Sequence, residues 1–239
     1  MNLDELKNMW TTLGDKDPMW AILNDPACKQ DAWTAEEFFQ TGRDHIKNVL
    51  QFALPQGRGR ALDFGCGIGR LTQALAEHFD SVDGVDISNP MIENAKKLNR
   101  FPDRVTYHLN QQDNLSLFSS NQYDFVCSVI VLQHMPSFLQ RNYIGEFIRV
   151  LKPGGIVFFQ SNHTRGWRNL VPDRAVEFYR KIKYKNGAIP YTPHYGIPVK
   201  DVGEVIKRAG GTILKYESAP YTSRPNRWRS DDFCVKKVG

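Results

Sequence analysis

The chain of 239 residues is long enough for one large α/β domain, and its 41% hydrophobic and 24% charged residues are typical of a soluble globular protein. The absence of an apolar run near the roughly 18 residues of a membrane helix, and of a signal-peptide pattern at the N-terminus, argues against a membrane protein. The four scattered cysteines indicate reduced thiols rather than a zinc site. We therefore expect a cytoplasmic protein without a metal or membrane partner, while the net charge of +5 favours no class of ligand.

Two amphipathic helices are predicted at the start of the chain. Residues 2–14 place their apolar side chains on one face, which predicts the first helix. Thr34 and Glu37 have the spacing of a capping box, which predicts a second helix at about 35–53. The proline-containing stretch between the two helices is predicted to be a loop. We interpret residues 1–58 as an N-terminal helical extension on a core that follows.

The core is predicted to be a mainly parallel sheet covered by helices on both faces, because strand and helix patterns alternate from residue 59 onwards. The predicted strands lie at 60–64, 81–88, 104–110, 123–132, 156–162, 212–219 and 232–238. The predicted helices lie at 68–79, 90–100, 137–151 and 199–209. The last two strands have no helix between them and are expected to pair antiparallel at one edge.

Residues 163–197 interrupt this alternation. They contain Trp167, four tyrosines and three prolines. Long connections in compact domains are frequently functional. We therefore predict that this insertion forms a lid or a wall of a substrate site.

Three glycines at alternate positions, Gly65, Gly67 and Gly69, follow the first predicted strand. Glycine permits a positive φ and a close approach of ligand to backbone, although Gly69 could equally serve close helix–strand packing. Asp86 ends the second strand 21 residues after Gly65, where a carboxylate can accept hydrogen bonds from ribose hydroxyls. Arg70 occupies the position where a dinucleotide-binding turn has its third glycine. The pattern predicts a ribose-containing ligand, bound differently from a pyrophosphate.

Residues 60–162 resemble the class I (Rossmann-like) S-adenosylmethionine-dependent methyltransferases through five segments in the family's order. These segments are DFGCGIG, GVDIS, QQDNL, VLQHM and LKPGGIVFF. The resemblance implies S-adenosyl-L-methionine as cofactor and a seven-stranded sheet of order 3-2-1-4-5-7-6 with strand 7 antiparallel. It also implies a single methyltransferase domain, which we divide into an N-terminal helical cap at 1–58, a cofactor-binding core at 59–162, the insertion at 163–197, and a closing helix and strand pair at 198–239.

The resemblance also implies which residues bind the cofactor. Gly65 and Gly67 would pass beneath its methionyl and ribose portions, and Asp63 would position their turn. Asp86 would hold the ribose hydroxyls, with Ile87 against the adenine ring. The other implied contacts are Asp113 and Asn114 at the adenine, Ile130 and Gln133 at the methionyl end, and Arg43 at the cofactor carboxylate, for which a solvated surface arginine is the alternative.

Methyl transfer from a sulfonium is an in-line displacement, so the protein mainly aligns the reactants. A general base is needed where the acceptor is a hydroxyl or an ammonium. The candidate bases are His134, directly after the fourth strand, and His163, at the end of the fifth. His194 and Trp167 are candidate substrate contacts. Packing inside the protein is the alternative role for each of these side chains.

Three functions are compatible with these features. The first is methyl transfer to an oxygen or nitrogen of a small molecule, enclosed by the N-terminal cap and the insertion. The second uses RNA or protein, because residues 165–185 carry seven basic and two acidic side chains with interleaved aromatic rings that could stack on bases. The third is a protein that transfers no methyl group. It would be either a nicotinamide oxidoreductase, which the glycine spacing disfavours, or a chain that binds the cofactor without turnover, since a fold does not fix a function. We favour the first.

Overall fold

A seven-stranded sheet forms the centre of the computed structural model, which describes residues 1–23, 33–164, 175, 193–220 and 228–239. The strands are β1 (Arg60–Phe64), β2 (Ser81–Asp86), β3 (Val105–Leu109), β4 (Tyr123–Ser128), β5 (Leu151–Thr164), β6 (Gly211–Pro220) and β7 (Trp228–Lys237). Their order is β3-β2-β1-β4-β5-β7-β6. Strand β7 runs antiparallel to β5 and β6, while β1 to β5 pair in parallel. The predicted Rossmann-like sheet is confirmed.

Helices cover both faces of the sheet. They are α1 (Leu3–Lys16), α2 (Pro18–Leu23), α3 (Ala35–Ala53), α4 (Arg70–Ala76), α5 (Asn89–Lys97), α6 (Ser137–Val150) and α7 (Val199–Arg208). Successive side chains of a strand point to opposite faces. Accordingly, Val157 and Phe159 of β5 join the core beneath α6 and α7, whereas Ile156 and Phe158 join the core beneath α3 and α4.

The N-terminal helices agree with the sequence except between α1 and α3. The predicted capping box is present, because the Thr34 hydroxyl accepts the Glu37 N–H and the Glu37 carboxylate accepts the Thr34 N–H. The prediction of a loop between these helices is wrong at Pro18–Leu23, which form α2. Pro18 occupies a first helical position, where its missing N–H costs nothing, and the Asp17 carboxylate accepts the Trp20 N–H at 3.1 Å. Residues 24–32, which include Pro26, lie outside the described residues.

Strands β4 and β5 begin or end at different residues from those predicted. Strand β4 stops at Ser128 rather than residue 132, because Ile130 adopts a left-handed φ of 60° and a 3-10 turn follows. Strand β5 begins at Leu151 rather than residue 156. Between two pairings with β4 the chain bulges through residues 152–155, where Gly154 has a φ of 80°. The sequence Lys-Pro-Gly-Gly therefore interrupts a strand instead of preceding one.

Two glycines allow the N-terminal helices to lie close to the core. A Cβ at Gly42 of α3 would stand 2.2 Å from the carbonyl oxygen of Arg70, and one at Gly14 of α1 would stand 3.0 Å from the Ser88 hydroxyl. That hydroxyl also donates to the carbonyl of Trp10 at 3.2 Å. The two helices are thereby fixed beside the carboxyl ends of β1 and β2.

A buried carboxylate, Asp83, links the three strands around it. It accepts hydrogen bonds from Arg60 Nε at 2.7 Å, His108 Nε2 at 2.7 Å and the Tyr123 hydroxyl at 3.0 Å. Burial alone would raise the pKa of Asp83, but the hydrogen bonds from His108, Arg60 and Tyr123 outweigh it and hold the pKa below its ordinary value. Asp83 thus connects β2 to β1, β3 and β4 on one face.

We expect Asp83→Asn to lower the free energy of unfolding by about 3 kcal/mol, because it removes one partner from a buried charged network. Urea unfolding at pH 7 measures this change. Asp80→Asn is the matched control, since Asp80 is exposed in the turn before β2 and its replacement should change stability by less than about 0.5 kcal/mol. An Asp83→Asn protein as stable as the control would contradict the assigned role.

Candidate functional site

A pocket of about 810 Å³, including space open to solvent, lies at the carboxyl ends of β1, β2 and β4. The strand order reverses between β1 and β4, which is where ligands bind in open α/β sheets. Helices α1, α2 and α6 supply the other walls. Six residues predicted from the sequence line this pocket, namely Gly65, Gly67, Asp86, Ile87, Ile130 and His134.

The glycine turn after β1 is held to β2 and has positive φ angles at its three glycines. The Gly65 N–H donates to the carbonyl of Val85 at 2.8 Å. Gly65 has a φ of 76°, and a Cβ there would stand 2.3 Å from a methyl of Val131. At Gly69, with a φ of 88°, a Cβ would stand 2.1 Å from the Tyr107 hydroxyl. Gly65 therefore lets Val131 of the pocket wall lie against the turn, whereas Gly69 serves helix–strand packing.

Asp86 faces the pocket with its carboxylate fixed by the backbone. Oδ2 accepts the Gly67 N–H and Oδ1 accepts the Ser88 N–H, both at 2.9 Å. Burial raises the pKa of this carboxyl, and the N–H groups of Ser88 and Gly67 oppose that effect. A carboxylate oxygen has two lone pairs. Each oxygen of Asp86 therefore keeps capacity for one hydroxyl of a ligand.

Asp63 lies beneath the glycine turn and does not line the pocket. It is 1% exposed and accepts the Thr72 hydroxyl at 2.6 Å. Burial raises its pKa to about 6, while Thr72 and Arg70 act in the opposite direction. This position is compatible with the predicted role of Asp63 in positioning the turn, and that role stays a prediction.

His134 is a buried part of the pocket wall. Its ring packs edge-on against Trp10 at 5.3 Å and against His194 at 4.9 Å between centroids. Nδ1 donates to the carbonyl of Pro193 at 3.2 Å, and Nε2 accepts from the side-chain amide of Gln133 at 3.3 Å. Burial lowers the pKa of His134 to about 3. Both ring nitrogens are engaged, and the ring is neutral at pH 7.

His163 belongs to a separate group of polar side chains on the last strands of the sheet. Its Nδ1 donates to the buried carboxylate of Asp231, whose other oxygen accepts the Tyr216 hydroxyl at 3.1 Å. Ser128, the last residue of β4, pairs with Phe159 of β5, so His163 lies beyond that pair at the carboxyl end of β5. The residues that directly follow β4 line the pocket. His163 itself does not line the pocket.

Four other predicted cofactor contacts do not line the pocket, namely Arg43, Asp113, Asn114 and Gln133. Arg43 pairs with Glu36 and donates from Nε to Gln40 at 2.8 Å. Asn114 donates its side-chain amide to Asp113 at 3.2 Å. Gln133 contacts His134 rather than the pocket. Their roles toward a ligand remain predictions, and Trp167 lies outside the described residues.

Eleven lining residues were not singled out from the sequence. They are Trp10, Ala21, Ile22, Phe64, Arg70, Val85, Asn110, Val129, Val131, Met135 and Tyr143. Asn110 bridges toward the predicted adenine contacts, because its side-chain amide donates to the carbonyl of Asn114 at 2.8 Å. The position of Arg70 directly after the glycine turn could have identified it from the sequence as a residue of the site. Trp10 had no such signal, because its contact depends on how α1 packs.

The described cysteines are free thiols. Cys66, Cys127 and Cys234 are buried, and burial raises the pKa of each thiol. Protonated, buried thiols are poor nucleophiles. Within the described ranges no trio of His, Cys, Asp or Glu is placed to hold a metal ion. None of the helices described combines the length and the apolar character that crossing a bilayer requires.

Comparison with known sequences links this fold to methyl transfer. Residues 61–155 match the family model of a methyltransferase domain. The chain is 31% identical over 156 residues to a 2-methyl-6-phytyl-1,4-hydroquinone methyltransferase of Synechocystis sp., which covers 63% of this chain and 48% of that protein. It is 31% identical over 117 residues to a ubiquinone biosynthesis O-methyltransferase of Hydrogenovibrio crunogenus, and the match covers 48% of this chain and 47% of that protein. The chain thus spans about half the length of the curated relatives it matches.

A solved structure shares the whole fold. Magnesium protoporphyrin IX methyltransferase from Synechocystis PCC 6803, determined with bound SAH, superposes with a TM-score of 0.64 at 17% identity. The match covers 99% of this chain and 100% of that one. The sheet order and the pocket at its switch point define the class as a Rossmann-like methyltransferase fold. Together with the match of residues 61–155 to a methyltransferase-domain model, they support a class I S-adenosylmethionine-dependent methyltransferase domain in this part of the chain.

The buried, neutral His134 should make stability depend on pH. In the unfolded chain a histidine takes up a proton near pH 6.5, whereas His134 in the folded protein does so only near pH 3. Its contribution is therefore fully present above pH 6.5 and is lost as the pH falls toward 3. Urea unfolding at pH 7, 6 and 5 should show that His134→Gln reduces this slope by about 1 kcal/mol per pH unit.

The control for this measurement is His78→Gln, because His78 is exposed after α4. The control should keep the wild-type slope. Equal slopes in wild type and His134→Gln would show that His134 takes up its proton normally in the folded protein.

Proposed function

We propose that the protein transfers a methyl group from S-adenosylmethionine to an oxygen or nitrogen atom of a small-molecule acceptor. The observation that carries this proposal is the fixed carboxylate of Asp86 in a pocket walled by the glycine turn, within a domain of the methyltransferase family. We place the reaction in the cytoplasm, an expectation supported by the free thiols of the described cysteines.

The residues of the pocket fit this cofactor. Asp86 offers acceptor oxygens to the two ribose hydroxyls, and Ile87 offers an apolar surface to the adenine ring. At Gly67, which has a φ of 53°, a Cβ would stand 2.6 Å from the end of the Ile22 side chain, so glycine lets α2 lie close to the turn. When bound, S-adenosylmethionine supplies an activated sulfonium methyl group.

Two features support a small acceptor. Aromatic rings from separate elements, Trp10 of α1 and Tyr143 of α6, line the pocket, which suits a planar, partly apolar molecule. The two curated relatives are named for a hydroquinone and for ubiquinone biosynthesis. The alternative of an RNA or protein acceptor depends on the basic residues 165–185, which lie outside the described residues apart from residue 175.

Between the two predicted bases, the geometry favours His163. Asp231 accepts from Nδ1 of His163 and so favours the tautomer that leaves the lone pair on Nε2. Nε2 can then receive the proton of an acceptor hydroxyl while the oxygen attacks the methyl carbon, and the carboxylate of Asp231 stabilises the resulting imidazolium. The ring of His134, by contrast, has both nitrogens engaged and a pKa of about 3. We assign His134, with His194, to the wall of the site.

Calorimetric titration with S-adenosylhomocysteine tests the donor half of the proposal. We expect wild-type protein to bind it and Asp86→Ala to weaken binding by about 1.5–3 kcal/mol, because hydrogen bonds to a charged carboxylate are lost. Asp80→Ala, altered in the exposed turn before β2, should bind as wild type does. Binding of a nicotinamide dinucleotide without binding of S-adenosylhomocysteine would overturn the proposal.

Release of S-adenosylhomocysteine from S-adenosylmethionine tests the acceptor and the base. A panel of hydroxylated aromatic molecules should support turnover, whereas transfer RNA should not. His163→Gln should lower kcat by about 100-fold or more with unchanged affinity for S-adenosylhomocysteine, and Asp231→Asn should lower it in the same direction.

Asp232→Asn is the matched control for that assay, because Asp232 binds the Gln160 amide at 3.0 Å instead of a histidine. It should keep a kcat within a few-fold of wild type. Turnover on RNA alone, or full turnover by His163→Gln, would refute the corresponding half of the assignment.

A further inference from the structure

We infer that Arg70 binds the carboxylate of the methyl donor and selects donors that carry this carboxylate. The inference rests on the proposed function, since it takes S-adenosylmethionine as the ligand of the pocket. It differs from the expectation drawn from family resemblance, which placed the carboxylate contact at Arg43 of α3.

The charges around the pocket indicate where an anionic group would lie. Among the described residues that line it, Arg70 is the one cationic side chain and Asp86 is the one carboxylate. The donor carries a carboxylate at its amino-acid end and a neutral diol on its ribose. Asp86 suits the diol and repels the carboxylate, so Arg70 is the complementary partner for the anionic end.

The Arg70 side chain has hydrogen-bond donors to spare. It is 4% exposed, and among the described residues it makes one hydrogen bond, from Nη1 to the Thr41 hydroxyl at 3.3 Å. Its Nε is buried without a partner. A guanidinium has five N–H donors, and buried donors left unpaired are costly. A carboxylate is the group that satisfies such donors best, because it can accept two of them at once.

The position of Arg70 is set before any ligand binds. Arg70 directly follows Gly69 at the start of α4. The carbonyl oxygen of Arg70 lies so close to α3 that only glycine fits at position 42. Thr41, on the same helix, holds one end of the guanidinium. Burial lowers the pKa of Arg70 only to about 10, with nearby Asp63 favouring the charged form, so the cation persists at pH 7. Such preorganisation favours ligand binding.

Arg43 lacks these properties. It pairs with Glu36, which also binds Arg100 at 2.8 Å, and it lines a different, smaller pocket beside Phe39. The hydrogen bonds from Arg100 and Arg43 hold the pKa of Glu36 below its ordinary value, so this carboxylate is charged and already neutralises Arg43. A ligand carboxylate at Arg43 would compete with Glu36.

Calorimetry with two ligands isolates the carboxylate contact. The ligands are S-adenosylhomocysteine and its decarboxylated analogue, which keeps the adenosine, the thioether and the ammonium group. We expect wild-type protein to prefer S-adenosylhomocysteine by about 10- to 100-fold, the range for a hydrogen bond to a charged group. In Arg70→Met this preference should disappear, while affinity for the decarboxylated analogue stays near the wild-type value.

Arg43→Met serves as the matched control and should keep the wild-type preference. Binding of the decarboxylated analogue shows that each variant is folded, and Arg70→Lys, which keeps the charge, should retain part of the preference if the methionine variant does not fold. A wild-type protein without preference for the carboxylate, or a preference unchanged in Arg70→Met or lost in Arg43→Met, would overturn the inference. Failure of wild-type protein to bind either ligand would overturn the proposed function instead.

Discussion

The pocket depends on the carboxylate of Asp86, which accepts one backbone N–H from the glycine turn and one from the start of α5. This interaction joins the segment after β1 to the segment after β2. The pairing of Phe64 with Val85 brings the two strand ends level, and the bond from Gly65 N–H to Val85 fixes the turn above them. The other walls of the pocket are built around these two strand ends.

The fold was predictable because its signals are local in the sequence. Alternating apolar runs identified each strand, and the capping box at Thr34 identified the start of α3. The errors arose where a local signal has two structural outcomes. Pro18 was taken as a helix breaker, yet proline also suits a first helical position. The end of β4 was placed too late because apolar residues continue past Ser128, where the backbone turns at Ile130.

The site was predictable only where its residues adjoin strand ends. Gly65 and Asp86 follow from the turn and strand patterns, and both line the pocket. The sequence ranked His134 above His163 by its place after the fourth strand, but the groups that decide the chemistry of the two rings lie far along the chain. Pro193 is 59 residues from His134, and Asp231 is 68 residues from His163. Among the described residues, both nitrogens of the His134 ring have partners, whereas the His163 ring is held through its Nδ1 bond to Asp231.

Two charged residues at the glycine turn, Asp63 and Arg70, are buried in surroundings that disfavour their charged forms. Burial raises the pKa of Asp63 to about 6 and lowers that of Arg70 to about 10, so the charged form of each is disfavoured by its surroundings. Their mutual attraction offsets part of this cost, since each shifts the other's pKa toward the charged state. Apolar residues would pack more favourably there. A buried cation beside the turn is therefore consistent with a site completed by an anionic group, which is the role that we infer for Arg70.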